Sequence, residues 1–333
     1  MLSLNLCRRA AAIALCGAIA ASSAAPALAA QAAEKEKPIR IVSTLPETHV
    51  ESGGPSCNAP SDGGWRNASE EELLSFLNKL ARMTRYDSSR ASRYLNYYGS
   101  RRYTPDQILR IVNTDNDLPV YENMNAADLS RGVLVLVNKY NDLGHYSPDD
   151  LASLGSYGSW GELRREARDA FVTMVDAAAK DGCRIWAVSP YRSYERQRSI
   201  YSSYVYSRGR AQADTYSARA GSSEHQTGLA VDVAVRGYGY NSFGGTKESA
   251  WMQAHAHEYG FILRYGEGMK YLTGYIYEPW HYRYVGREAA ARIVAEKLTF
   301  EEYYAYYVVA PQSAAPTWIF PDAQATKKST YDV

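Results

Sequence analysis

Apolar residues recur at helical spacing through several stretches of this chain and alternate at strand spacing in a few short ones. Leu73, Leu74, Leu77 and Leu80 make a stripe running to about Met83, with the period of an amphipathic helix. Ser69 and Glu72 precede it at the spacing of a capping box. Residues 90–98 predict a short second helix. Thr104-Pro105-Asp106-Gln107 caps a third, with proline at the first helical position and Ile108, Ile111 and Val112 following. Residues 65–115 therefore predict a helical N-terminal module, and residues 116–300 the main domain.

Past Leu118 the pattern changes. Val133 to Lys139 is a short apolar run of the kind buried at the centre of a sheet. Leu163, Ala167, Ala170, Phe171, Met174, Val175 and Ala178 predict a helix over 162–179, ending before Gly182, a residue suited to a left-handed cap. Arg184 to Ser189 reads as a strand and Tyr194 to Tyr206 as a helix. Leu229 to Val235 predicts a strand with Val231, Val233 and Val235 on one face and Asp232 on the other, between Ala230 and Ala234. A helix over 248–258, strands over 261–265 and within 275–285, and a helix over 287–298 complete the pattern, with residues 301–333 as a C-terminal tail. Strands and helices do not alternate strictly, which predicts an α+β fold with helices on a small mixed or antiparallel sheet.

The N-terminus departs from globular patterning. Arg8 and Arg9 precede an alanine-rich apolar run, and Ala27-Leu28-Ala29 follows. This is the arrangement of a cleavable secretory leader over residues 1–29, and the run is weakly apolar for a retained span. It implies a secreted or extracytoplasmic protein with no stable membrane span after cleavage. Residues 30–64, rich in charge and then in Pro, Gly and Ser, have the composition of a flexible linker. The whole chain carries 37 basic and 36 acidic residues. Losing Arg8 and Arg9 with the leader keeps it close to neutral, which gives no footing for nucleic acid. Cys57 and Cys183 remain in the mature chain, as one disulfide or as two thiols.

Chemistry concentrates in two segments, Ser223-Glu224-His225-Gln226-Thr227-Gly228-Leu229-Ala230-Val231-Asp232 and Glu278-Pro279-Trp280-His281. A hydrolytic zinc site needs three protein ligands, an open position for water and a base that is not itself a ligand. His225, Asp232 and His281 fit the ligand roles and Glu278 the base. Gly228 permits a tight turn between His225 and the strand carrying Asp232. Glu278 and His281 have opposite parity in an ideal strand, and Pro279 between them predicts the break that brings both to one centre. Arg192, just past a strand end and beside Tyr191 and Tyr194, can grip a carboxylate or form a surface ion pair.

These segments, preceded by Tyr191-Arg192-Ser193, resemble the VanY-type D-alanyl-D-alanine carboxypeptidases, a zinc peptidase family related to the hedgehog signalling domain. The likeness spans roughly residues 118–290. It implies an α+β zinc fold and removal of a terminal D-alanine from peptidoglycan stem peptides. By position it assigns His225, Asp232 and His281 to Zn2+, Glu278 to the general base and Arg192 to the developing oxyanion. Ser223, Gln197, Trp280 and Tyr191 fall at substrate-binding positions. Pro190 stands where the family usually has glycine. The same motifs also suit an L,D-carboxypeptidase or endopeptidase, and a wall-binding zinc module is the reading without catalysis; the presence of Glu278 argues against that last one, since a structural zinc site needs no base.

Overall fold

The computed structural model describes Val42, Leu45 and residues 64–309. The leader, nearly all of the linker, Cys57 and the tail beyond 309 lie outside the described residues.

Helix α1 (Glu70–Ala81) begins as its sequence predicts, with the Ser69 hydroxyl accepting from the Glu72 N–H and the Glu72 carboxylate accepting from the Ser69 N–H. Helix α2 (Ala91–Leu95) is shorter than residues 90–98, because a 3-10 turn occupies 88–90 and turns follow Leu95. Helix α3 (Pro105–Asn113) carries the second capping box, Thr104 with Gln107. Leu77, Leu80, Leu95, Ile111 and Val112 meet in a core of their own, and Leu272 enters it from the far end of the chain. The module is thus seated on the main domain, and Arg110 of α3 forks onto the Glu302 carboxylate.

Strands β1 (Asn125–Ala126) and β2 (Asn141–Asp142) pair in parallel, and β3 (Leu151–Ser153) and β4 (Glu162–Arg164) antiparallel. The run from Val133 to Lys139, expected as a strand, is not one: residues 129–134 form a 3-10 turn, 135–137 have no regular structure and the chain bends from 138. The carbonyls of Val133 and Val135 accept instead from the Arg283 guanidinium, at 2.9 and 2.8 Å. Burial of Val135, Leu136 and Val137 accounts for the apolar composition without any ladder.

Helix α4 (Arg165–Lys180) follows β4, which takes the residues expected to open that helix. Then come β5 (Ile185–Ser189), α5 (Tyr194–Arg208), α6 (Arg210–Ala213), β6 (Ala230–Val235), α7 (Lys247–His255), β7 (Phe261–Leu263), α8 (Lys270–Thr273), β8 (His281–Tyr284), α9 (Arg287–Ala295) and α10 (Phe300–Tyr303). The main sheet has the order β5-β6-β8-β7 and is antiparallel throughout. Phe171 and Met174 of α4 and Met252 of α7 share one core with Val231, Val233 and Phe261, so the valine face of β6 is the packed one, as its alternation predicts. Of residues 275–285 only 281–284 enter the sheet. The chain before them turns at Pro279, closed by the His281 N–H donating to the Glu278 carbonyl.

The expected tail does not begin at 301. Phe300, Glu301, Glu302 and Tyr303 are buried, and Phe300 and Tyr303 pack with Ile262, Val285 and Ile293 in a third core.

Candidate metal centre

Antiparallel register places Asp232 of β6 directly across from His281 of β8, and opposite Ser189 at the end of β5. His225 arrives from a 3-10 turn, Glu224–Thr227, that hands over to β6 through Gly228 at φ 69°. A Cβ at residue 228 would lie 3.0 Å from the Arg164 and Leu151 side chains and 3.2 Å from the Arg164 backbone nitrogen. The turn therefore needs glycine for its left-handed conformation and for the close approach of β4. Gly228→Ala is expected to lower stability by about 1–2 kcal/mol, checked by chemical denaturation.

The ligand-type atoms of His225, Asp232 and His281 all lie within 4.8 Å of one another, and all three residues are buried. His225 Nδ1 is 2.8 Å from the Pro190 carbonyl. A carbonyl can only accept, so Nδ1 carries the hydrogen and the Nε2 lone pair faces Asp232 Oδ2, 3.4 Å away. His281 is turned the other way: its Nδ1 is 3.0 Å from Asp232 Oδ1, and its Nε2 is 3.5 Å from Glu224 Oε2. The two rings stand nearly perpendicular, 4.8 Å between centroids. His225 Nε2 and Asp232 Oδ1 are buried with no hydrogen-bond partner. Two imidazoles and a carboxylate converging with unpaired buried acceptors are a donor set that a divalent cation satisfies, and N and O donors of this kind suit zinc.

Glu278 Oε2 lies 3.8 Å from His281 Nδ1. Its carboxyl is raised to about 8, chiefly by burial, against the pull of His281. Burial lowers His225 to about 4, with the Arg192 charge acting the same way. Burial also opposes charge on His281, but its contacts with Asp232 and Glu224 outweigh that and raise it to about 9. Asp232 is held well below the usual carboxylate range: burial alone would raise it, and the two histidines reverse that.

Arg192 reaches the cluster from the loop after β5, with Nη2 3.9 Å from Asp232 Oδ2 and a buried Nε that has no partner. Its backbone N–H donates to the His225 carbonyl at 3.1 Å. This places Arg192 at the centre and not in a surface ion pair. Pro190 supplies the carbonyl that orients His225, so the proline leaves this contact intact, and its ring packs where Gly161 has no side chain.

Trp280 meets Tyr240 at a 54° tilt, 5.2 Å between ring centroids, and Tyr240 feels the charges of Asp232 and Arg192. Tyr191 is partly exposed, with its hydroxyl 3.1 Å from Ser147, and Ser223 is buried at the head of the His225 turn. Gln197 is buried, its Nε2 donating to the Ala218 carbonyl at 2.7 Å and its Oε1 unpartnered. It braces the loop leading into the motif.

Sequence reasoning passed over Glu224, Arg264 and Arg283. Glu224 accepts from both arginines on Oε1, at 2.8 and 3.1 Å, and its side chain is fully buried. The available signal was a pair of arginines, one within and one just after strand segments that are otherwise apolar or aromatic.

A family model for the VanY D-alanyl-D-alanine carboxypeptidase matches residues 161–287. The chain is 42% identical over 199 residues to YodJ of Bacillus subtilis (strain 168), a carboxypeptidase by description, covering 57% of this chain and 73% of that one. It is 36% identical over 179 residues to a D-alanyl-D-alanine carboxypeptidase of Enterococcus faecalis (strain ATCC 700802 / V583), covering 51% of this chain and 65% of that one. Among solved structures it is similar to the LdcB LD-carboxypeptidase, at 42% identity and TM-score 0.52, over 55% of this chain and 90% of that chain.

Proposed function

The chain belongs to the VanY D-alanyl-D-alanine carboxypeptidase family, and from that premise we propose that it is a zinc-dependent D-alanyl-D-alanine carboxypeptidase trimming peptidoglycan stem peptides. The observation that carries this reading is the convergence of His225, Asp232 and His281 within 4.8 Å, beside a buried carboxylate, Glu278, that the cluster does not need as a ligand. His225 through Nε2, Asp232, and His281 through Nδ1 would hold the ion, which supplies Lewis acidity to the scissile carbonyl and to the attacking water.

The protein's own groups account for the proton traffic. Glu278 accepts a proton from the attacking water as the new C–O bond forms. It returns that proton to the amine nitrogen as the C–N bond breaks. Hydrolysis leaves a shortened stem with a new carboxylate and a free D-alanine. Arg192 aims its guanidinium into the same space and can offset charge developing on the carbonyl oxygen. Tyr240 and Trp280 are in aromatic contact, and Tyr240 feels the charges of Asp232 and Arg192, so the pair can offer an apolar surface to an alanyl methyl. The Arg8-Arg9 leader pattern supports action outside the cytoplasm.

A second reading, L,D-carboxypeptidase action on a tetrapeptide stem, is favoured by the likeness to LdcB. The loops around a shared centre decide such differences. Zinc-loaded protein given defined pentapeptide and tetrapeptide stems separates the two by mass. Loss of one alanine from the pentapeptide alone is the expected outcome. Loss from the tetrapeptide alone would replace D,D by L,D specificity, and no loss from either would defeat the peptidase reading.

A further inference from the structure

Behind His281 lies a chain of fully buried charge that the chemistry above does not use. Glu224 Oε1 accepts from Arg264 Nε and Arg283 Nη1, which leaves Oε2 without a hydrogen-bond partner, 3.5 Å from His281 Nε2. Arg264 extends away from the site and forks onto Glu301 of α10, with Nη1 to Oε2 at 2.9 Å and Nη2 to the other oxygen. Arg283 is pinned by the Val133, Val135 and Tyr284 carbonyls. Two guanidinium groups and two carboxylates balance in charge, so the set is stable only as a unit. The next residue on α10, Glu302, takes the fork of Arg110 from the N-terminal module.

We propose that Glu224, Arg264 and Glu301 are positioning residues that hold His281 with Nδ1 toward the metal, and that α10, docked on the N-terminal module, is the outer end of this support. The inference rests on the metal-site reading above. A carboxylate behind the far nitrogen of a ligand histidine fixes its ring orientation, and loss of such a partner costs roughly 10–100-fold in metal affinity. Glu224 can play that part only if its own carboxylate is held, and the arginines hold one oxygen and leave the other for His281. Arg264 would draw Glu224 away from His281 were its second counter-charge missing, and Glu301 is that counter-charge. Residues 301–302 are on this account part of the catalytic machinery's frame.

The test is zinc affinity by chelator competition, with the visible spectrum of the cobalt-substituted protein as a second readout. Glu224→Gln is expected to weaken zinc binding about 10–100-fold and to alter the cobalt spectrum. Glu301→Gln, which keeps an acceptor for Arg264 and touches no ligand, is expected to weaken it about tenfold with parental circular dichroism. Should Glu224→Gln fail to fold, Glu301→Gln decides alone. Parental affinity and an unchanged cobalt spectrum in folded Glu301→Gln would overturn the proposal. His225→Ala serves as the separate control: if it binds zinc as the parent does, the metal-site reading fails and not the support.

Discussion

Glu278→Gln is expected to lower kcat for alanine release by about 10²–10⁴-fold, the span of a lost general base, while zinc content stays at the parental level. The exchange keeps volume and removes the titrating group. Glu278 precedes the Pro279 turn, so its carboxylate stands 3.8 Å from His281 Nδ1 without belonging to the strand that carries the ligand. Burial raises its carboxyl to about 8, which brings it near working pH, where one group can both take and return a proton. The measurements are alanine release from a defined stem and metal content on the same sample. Parental turnover would place the base elsewhere. Loss of zinc along with activity would make Glu278 a ligand.

Much of this site was legible because the chemistry is local in two short segments. The alternation of Val231, Val233 and Val235 put Asp232 on the face away from the core, and Pro279 signalled the break that lets Glu278 and His281 converge. The capping boxes at Ser69 and Thr104 were readable for the same reason, since each is a bond between residues three apart. What failed to show was non-local. The Val133 to Val137 segment has the composition of a central strand, yet its carbonyls are satisfied by a guanidinium from 150 residues later. No local pattern distinguishes the two partners. Residues 301–303 look like a polar tail in sequence because Glu301 and Glu302 are charged. Their burial depends on Arg264 and Arg110, far away in the chain. Buried ion pairs are invisible to periodicity, which reads a charged side chain as solvent-facing. The support behind His281 is made entirely of such pairs, so it emerged only from the structure.

Asp232→Ala is expected to abolish activity by a different route, taking the metal with it. Asp232 is the anionic member of the cluster, with one oxygen 3.0 Å from His281 Nδ1 and the other 3.4 Å from His225 Nε2. Without it the ligand set keeps two neutral imidazoles and loses its only carboxylate, and the Arg192 guanidinium loses the anion it faces. Zinc affinity is expected to fall by more than the roughly 100-fold upper range for an outer-shell partner. A ligand bound to the folded state raises the melting temperature by mass action. Excess zinc should therefore raise the melting temperature of chelator-stripped parent and of Glu278→Gln, but not that of Asp232→Ala. A zinc-dependent rise in Asp232→Ala equal to the parent's would show that the ion is held elsewhere, and Glu278 would then have no metal centre to serve. The two substitutions together separate holding the ion from moving the proton. Asp232 lies on β6 and Glu278 in the turn that leads into its neighbour β8, so a general loss of structure would affect both alike and cannot imitate the expected difference.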